Sequence, residues 1–118
     1  YEYNAGNQGN IRKHHGGEIV SLSDYRVRHA QYKLDPALQK AHARCPWFVT
    51  WDDHEVDNNC ADEISEQKNV KPVDFLIRRA AAYQAYYENM PLRRTSLPAG
   101  PYLQLYRRGA FGQLADAH

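Results

Sequence analysis

The sequence contains few cysteines, no long apolar run and almost no excess of charge. Its two cysteines are too few for a four-cysteine zinc site or for a small fold held by several disulfides. They leave one disulfide or two free thiols equally open. No apolar run approaches the roughly 20 residues that a transmembrane helix needs. Lys and Arg number 15 against 14 Asp and Glu, a net charge of +1, whereas nucleic-acid binders gain affinity from a basic surface. No nucleic-acid partner and no transmembrane segment are therefore indicated.

The composition is sufficient for a folded core. Hydrophobic residues make up 42% of the 118 residues, too many for a disordered tail. The only methionine is Met90, and the first residues lack the basic start and apolar run of a signal peptide. We therefore expect residues 1–118 to be a fragment of a single domain in a larger protein.

Apolar spacing, N-cap residues and prolines predict three α-helices. They are expected at residues 24–34, 37–45 and 73–90, after a Gly- and Asn-rich loop at 4–17. Apolar side chains repeat at helical spacing in the third helix and predict its buried face: Leu76, Ala80, Tyr83 and Tyr87. The arginine pairs at 78–79 and 93–94 are expected to be solvated, with phosphate binding as the alternative.

Strands are expected in two places. Residues 47–51, Trp-Phe-Val-Thr-Trp, form a run of aromatic and β-branched residues typical of a strand buried on both faces. Residues 103–108 and 110–115 predict two short strands around Gly109, a hairpin. The order of elements predicts an α/β or mixed α+β chain.

Reactive side chains are densest at residues 51–59, Trp-Asp-Asp-His-Glu-Val-Asp-Asn-Asn, directly after the predicted buried strand. Ligands bind outside the carboxyl ends of strands in open parallel sheets. Two adjacent acids are costly to desolvate unless a cation pairs with them, and Asp, Asn and His are ligand types for metals. On the residues alone, the pattern leaves a metal site and an ordinary polar loop equally open.

Counting excludes two sharper motifs. A zincin needs His four residues after His54, where Asn58 stands, and an EF-hand loop from Asp53 would need Gly at 58 and Glu at 64. Four other histidines are expected to be solvated loop residues, with metal ligation as the alternative (His14, His15), and surface or capping residues in helices (His29, His42).

The string WDDHEVDNN resembles the signature of the PhoD-like alkaline phosphatases, a branch of the metallophosphoesterase superfamily. Tyr1-Glu2-Tyr3 is similar to the end of another segment of that family. The stretches SLSDYRVRHAQYKLDPALQKAHARCPW, RRAAAYQAYYENMPLR and LYRRGAFGQLA resemble further family segments in the same order.

The resemblance implies part of a four-layer αββα sandwich and the hydrolysis of small phosphate esters by metal-activated water or hydroxide, with Ca²⁺ and Fe³⁺ as cofactors. It also implies a parent protein that is periplasmic or secreted through twin-arginine export. Because the other family ligands would lie before residue 1 and after residue 118, the piece alone is expected to be inactive.

The resemblance also implies roles for single residues. Tyr1 matches the tyrosinate that ligates iron, and one of Asp52 and Asp53 is expected to bind metal. His54 is the expected catalytic histidine, and Asn59 is a further candidate for a metal contact. The substrate-binding residues stay unknown. Two rival functions are a helical interaction module without chemistry and a metal-dependent nuclease.

Overall fold

The computed structural model describes residues 13–117. The elements are, in chain order, α1 (Leu22–Lys33), α2 (Pro36–Arg44), a 3-10 turn (Asp53–Glu55), α3 (Pro72–Asn89), a second 3-10 turn (Arg94–Ser96), β1 (Gly109–Phe111) and β2 (Ala115–Ala117). The mixture of helices and strands is as predicted, and the three helices lie close to their expected positions. None of the described helices is long and apolar enough to cross a membrane.

The helix starts follow from local chemistry. At α1, the Ser21 hydroxyl accepts a hydrogen bond from the Asp24 N–H while the Asp24 carboxylate accepts one from the Ser21 N–H at 2.8 Å, a capping box. At α2, the Asp35 carboxylate accepts from two backbone N–H groups and Pro36 occupies the first helical position. The Asp35 contacts therefore start α2 directly after the C-cap of α1 at Leu34.

The core lies where α1 packs on α3. Its buried apolar residues are Ile19, Tyr25, Val56, Phe75, Ala82 and Ala85. Two of the six are alanines on α3, and small side chains at a contact allow two helices to approach closely. The core is therefore narrow and depends on a few large rings.

The predicted buried face of α3 is displaced from the observed one. The four side chains expected inside are only half-buried. The buried face instead comprises Phe75, Arg78, Arg79, Ala82, Ala85 and Tyr86. The prediction of solvated arginines at 78–79 is therefore wrong, because both guanidinium groups have partners inside the fold. Arg93 and Arg94 are exposed as expected.

Residues 47–51 do not form the predicted buried strand. They are extended, but Phe48 is 53% exposed and no other described segment pairs with their backbone. Side chains take the place of a neighbouring strand, because the Val49 and Thr50 carbonyls accept hydrogen bonds from Arg107 at 2.5 Å and Tyr86 at 3.0 Å. The Trp51 ring stacks on Tyr83 at a centroid distance of 4.5 Å.

The predicted hairpin exists, but its turn lies elsewhere. β1 and β2 pair antiparallel with Phe111 opposite Ala115, and Gly112 has φ +60°, the left-handed region that glycine adopts without strain. Residues 103–108 are extended without a strand partner among the described residues. A groove of about 840 Å³ lies between this segment and residues 48–51.

One histidine prediction is wrong in a way that affects stability. His29 is 2% exposed rather than on the surface, and it packs edge-on against Tyr86 with ring centroids 6.4 Å apart. Burial, reinforced by the charge of Lys33, lowers the pKa of His29 from 6.5 to about 4. His42 is half-buried and stacks on Trp47.

We expect His29 to make folding pH-dependent. Between its ordinary pKa of 6.5 and its folded pKa of about 4, the unfolded chain binds a proton that the folded chain does not. The stability that neutral His29 contributes is present above pH 6.5 and is lost as the pH falls towards 4. His29→Gln should flatten the dependence of melting temperature on pH in this window when the full-length protein is followed by calorimetry. Equal slopes in the two proteins would contradict the assignment.

Candidate functional site

The candidate site is the segment 52–59, here called the acidic turn, which begins where the extended residues 47–51 end. Asp52 caps the 3-10 turn: its Oδ1 accepts from the His54 N–H at 2.9 Å. Glu55 closes the box, since its Oε2 accepts from the Asp52 N–H at 2.7 Å. Burial raises the pKa of Glu55. The sequence D-D-H-E therefore folds locally as a capped turn.

Asp53 is held by the far end of the acidic turn. Its carbonyl accepts from the Val56 N–H at 2.8 Å and the Asp57 N–H at 2.9 Å. Its carboxylate Oδ2 accepts from the Asn59 N–H at 2.5 Å, and this hydrogen bond is the main cause of the lowered pKa of Asp53. Asn59 has φ 49°, a left-handed conformation that Asn tolerates better than most residues. The carboxylate of Asp53 is thus ionised and fixed in direction.

The middle of the acidic turn is anchored in the core. Val56 and Asp57 are 3% and 2% exposed, whereas the groups on either side of them are partly exposed. The Tyr25 hydroxyl donates to the Val56 carbonyl at 2.5 Å, and the Ser65 hydroxyl donates to Asp57 Oδ2 at 2.5 Å. Arg78 Nη1 lies 3.1 Å from Asp57 Oδ1. The acidic turn therefore has a buried base, held by hydrogen bonds and an ion pair, and a partly exposed acidic rim.

The structure places the predicted site residues as follows. Asp53 and His54 are half-buried in the 3-10 turn, Asp52 and Asn59 are exposed at its ends, and Tyr1 lies outside the described residues. Within residues 13–117, no three His, Cys, Asp or Glu side chains converge in a group able to hold a metal ion. The side chains of the acidic turn offer carboxylates and an imidazole, which are ligand types for hard cations and for iron. They could supply some, but not all, of the ligands of a metal ion.

Other sequence candidates lie apart from the acidic turn. His14 hydrogen-bonds to the Tyr32 hydroxyl at 2.7 Å and to Arg28 at 2.9 Å, so it packs against α1. Cys45 and Cys60 are free thiols, which answers the question that composition left open. Burial raises the pKa of the Cys60 thiol.

The residues that sequence reasoning missed are Tyr25, Asp57 and Arg78, the anchors of the acidic turn. A signal for Arg78 was present, since it follows Phe75 by three residues and precedes Ala82 by four, the spacing of one helix face. Asp57 lies inside the acidic string, where its neighbours suggested a ligand rather than a buried partner.

Comparisons with known proteins cover nearly the whole chain. The sequence model of the PhoD-like phosphatase family matches residues 1–118. The chain belongs to the PhoD-like phosphatase family. It is 59% identical over 108 residues to alkaline phosphatase D of Bacillus subtilis strain 168, an alignment covering 92% of this chain and 18% of that protein. The solved structure of PhoD matches with a TM-score of 0.90 and 56% identity, covering 98% of this chain and 23% of the other.

These comparisons confirm the family resemblance that the sequence showed. The chain spans about a fifth of the length of the curated relative it matches.

We expect the backbone of Asn59, rather than its side chain, to matter for the acidic turn. Asn59→Gly keeps the N–H that holds Asp53 and suits the positive φ, so it should leave melting temperature and bound metal of the full-length protein unchanged. Asn59→Val places a β-branched residue at positive φ and should destabilise the turn by about 1–3 kcal/mol. Elemental analysis and calorimetry measure both effects. Loss of metal in Asn59→Gly would instead assign the side chain as a ligand.

Proposed function

We propose that the protein carrying this chain is a metal-dependent alkaline phosphatase that hydrolyses phosphate mono- and diesters. The observation that carries the proposal is the acidic turn itself, in which an ionised, oriented carboxylate and a histidine lie side by side on a buried base. Membership of the PhoD-like family and 59% identity to an alkaline phosphatase support it. An interaction module would leave these side chains scattered on the surface, whereas an enzyme would gather Asp52, Asp53, His54 and Tyr1 around one hollow; the capped 3-10 turn, which holds the first three on one short element, supports the enzyme.

We assign the two adjacent aspartates different roles. Asp52 is the capping residue of the 3-10 turn, since its carboxylate receives the His54 N–H. Asp53 is the metal ligand, because the Asn59 N–H orients its carboxylate and keeps it ionised. Tyr1 is proposed as an iron ligand on the family resemblance alone. Calcium and ferric iron, when bound, would supply Lewis-acid charge that stabilises the phosphoryl oxygens during transfer.

His54 is proposed as the catalytic histidine. It directly follows Asp53 on the same short, capped 3-10 turn. An imidazole there can donate a hydrogen bond or a proton to an oxygen of the ester. The Asp52 carboxylate helps to orient it through the backbone N–H of His54.

The surroundings of the site are proposed from the family as well. The extended residues 47–51 and 103–108 would be strands of a four-layer αββα sandwich. Further strands of that sandwich would occupy the groove between them. The family resemblance also favours export to the periplasm or outside the cell and a role in phosphate acquisition. Small phosphate esters are the proposed substrates, since a net charge of +1 supplies no basic groove for a nuclease.

Metal removal tests the proposed reaction. The full-length protein should hydrolyse an aryl phosphate at alkaline pH, lose turnover in a chelator and regain it with calcium and iron, because the phosphoryl charge would otherwise be unbalanced. The 118-residue chain, assayed in parallel, should show no turnover. Full activity of the full-length protein in excess chelator would rule out the metal-dependent reaction.

Substitutions in the acidic turn test the separate roles. Asp53→Ala should lower turnover of the full-length protein by about 100-fold or more and reduce bound metal. Asp52→Asn keeps a good N-cap and should retain the metal, whereas Asp52→Ala should lower turnover through loss of the cap. His54→Ala should cost about 100- to 10,000-fold in kcat with metal retained. Wild-type rates in all four variants would show the turn to be structural only.

A further inference from the structure

Arg78 is a buried cation that connects three parts of the fold. Its side chain, on α3, is only 5% exposed. Nε donates to the Tyr25 hydroxyl of α1 at 3.0 Å, and Nη1 lies 3.1 Å from both Asp57 Oδ1 and Glu18 Oε1. Glu18 is 45% exposed whereas Asp57 is 3% exposed. The partner that shares its burial is therefore Asp57.

Both buried residues of the acidic turn, Val56 and Asp57, depend on this guanidinium. Asp57 contacts it directly, and the Val56 carbonyl is held by Tyr25, whose hydroxyl receives the Arg78 Nε–H. Because the Tyr25 proton is donated to Val56, its oxygen is available as the acceptor for Arg78. Charge-assisted hydrogen bonds of this kind are stronger than neutral ones.

Backbone hydrogen bonds connect Val56 and Asp57 to Asp53, the proposed metal ligand. The Asp57 and Val56 N–H groups donate to the Asp53 carbonyl, and the Asn59 N–H donates to the Asp53 carboxylate. Arg78 is thus separated from the proposed metal ligand by Asp57 alone. A displacement of Asp57 would move the carbonyl and carboxylate contacts of Asp53 together.

We propose that Arg78 is a positioning residue of the candidate site: by holding Asp57 and, through Tyr25, Val56, it fixes the acidic turn that presents Asp53 and His54. The inference rests on the proposed function for its effect on catalysis, but not for its effect on the turn. Arg78 Nε and Nη1 are engaged by Tyr25, Glu18 and Asp57, whereas Nη2 is buried without a hydrogen-bond partner among the described residues.

The same two helices provide a matched control. Arg26 of α1 and Glu88 of α3 form a bidentate ion pair with N···O distances of 2.7 and 2.6 Å. It also links α1 to α3, but Arg26 is 51% exposed and neither residue contacts the acidic turn. Loss of this pair tests helix packing without disturbing Asp57.

The experiment compares Arg78→Lys and Asp57→Asn with Arg26→Gln in the full-length protein. Lysine keeps the charge but lacks the fork that reaches two partners at once. Hydrogen exchange of the Val56, Asp57 and Asn59 amides, which donate to Asp53, should accelerate in the two anchor variants and stay unchanged in Arg26→Gln. Turnover of an aryl phosphate, measured well below the melting temperature, should fall by about 10- to 100-fold in the anchor variants, as for other residues that orient ligands. The loss should lie mainly in kcat.

A milder substitution covers the case in which the anchor variants do not fold. Ser65→Ala removes the hydroxyl that donates to Asp57 Oδ2 and leaves the ion pair intact. It should accelerate exchange at the Asp57 and Asn59 amides to a smaller extent and lower kcat in the same direction.

Two outcomes would overturn the proposal. One is unchanged exchange at 56–59 in the folded anchor variants, or in Ser65→Ala if they do not fold. The other is faster exchange with unchanged kcat, which would make the anchor structural only. A wild-type protein without phosphatase activity would instead remove the proposed function, and the exchange rates would still decide whether Arg78 holds the turn.

Discussion

The ion pair between Arg78 and Asp57 is the contact on which the remaining arrangement depends. A guanidinium and a carboxylate that are both nearly inaccessible are costly to desolvate, and the geometry offsets this cost through Tyr25, Glu18 and Ser65. Removing one member of such a pair typically costs about 3–5 kcal/mol, because the other charge stays buried without a partner. Since the network joins α1, α3 and the acidic turn, it makes the packing of the two helices and the shape of the turn interdependent.

The core between α1 and α3 is narrow, and the two extended segments of the chain lie outside it. Tyr25 and Phe75 fill the contact between α1 and α3, and the alanines of α3 allow the close approach. Residues 47–51 and 103–108 lie at the margin of this core. Their extended backbone is held in part by side-chain donors such as Arg107 and Tyr86, so the groove between them keeps an apolar lining open to solvent. A strand ladder needs a neighbouring backbone, and no described residues supply one there.

The candidate site combines a local and a non-local element. The capped 3-10 turn at 53–55 forms from contacts within four residues, whereas the buried base at 56–57 requires α1 and α3 to be in place. This division explains why the acidic rim can be partly exposed and still well oriented. Within residues 13–117, no three His, Cys, Asp or Glu side chains converge at this rim in a group able to hold a metal ion.

Sequence alone determined the helices and their caps and the mixture of helices and strands, because these depend on short-range chemistry. It also determined the position of the acidic string and the family, because these depend on contiguous motifs. The capping box at Ser21, Pro36 at the start of α2 and the Asp53–Glu55 turn all follow from neighbours within four residues. Only the tertiary structure decided that Arg78 and His29 are buried, that Asp57 is an anchor and that residues 47–51 are not a strand in the described chain. Polarity predicts exposure on average, but a charged side chain enters the interior when a partner distant in sequence meets it there, and an extended run becomes a strand only when another backbone lies beside it.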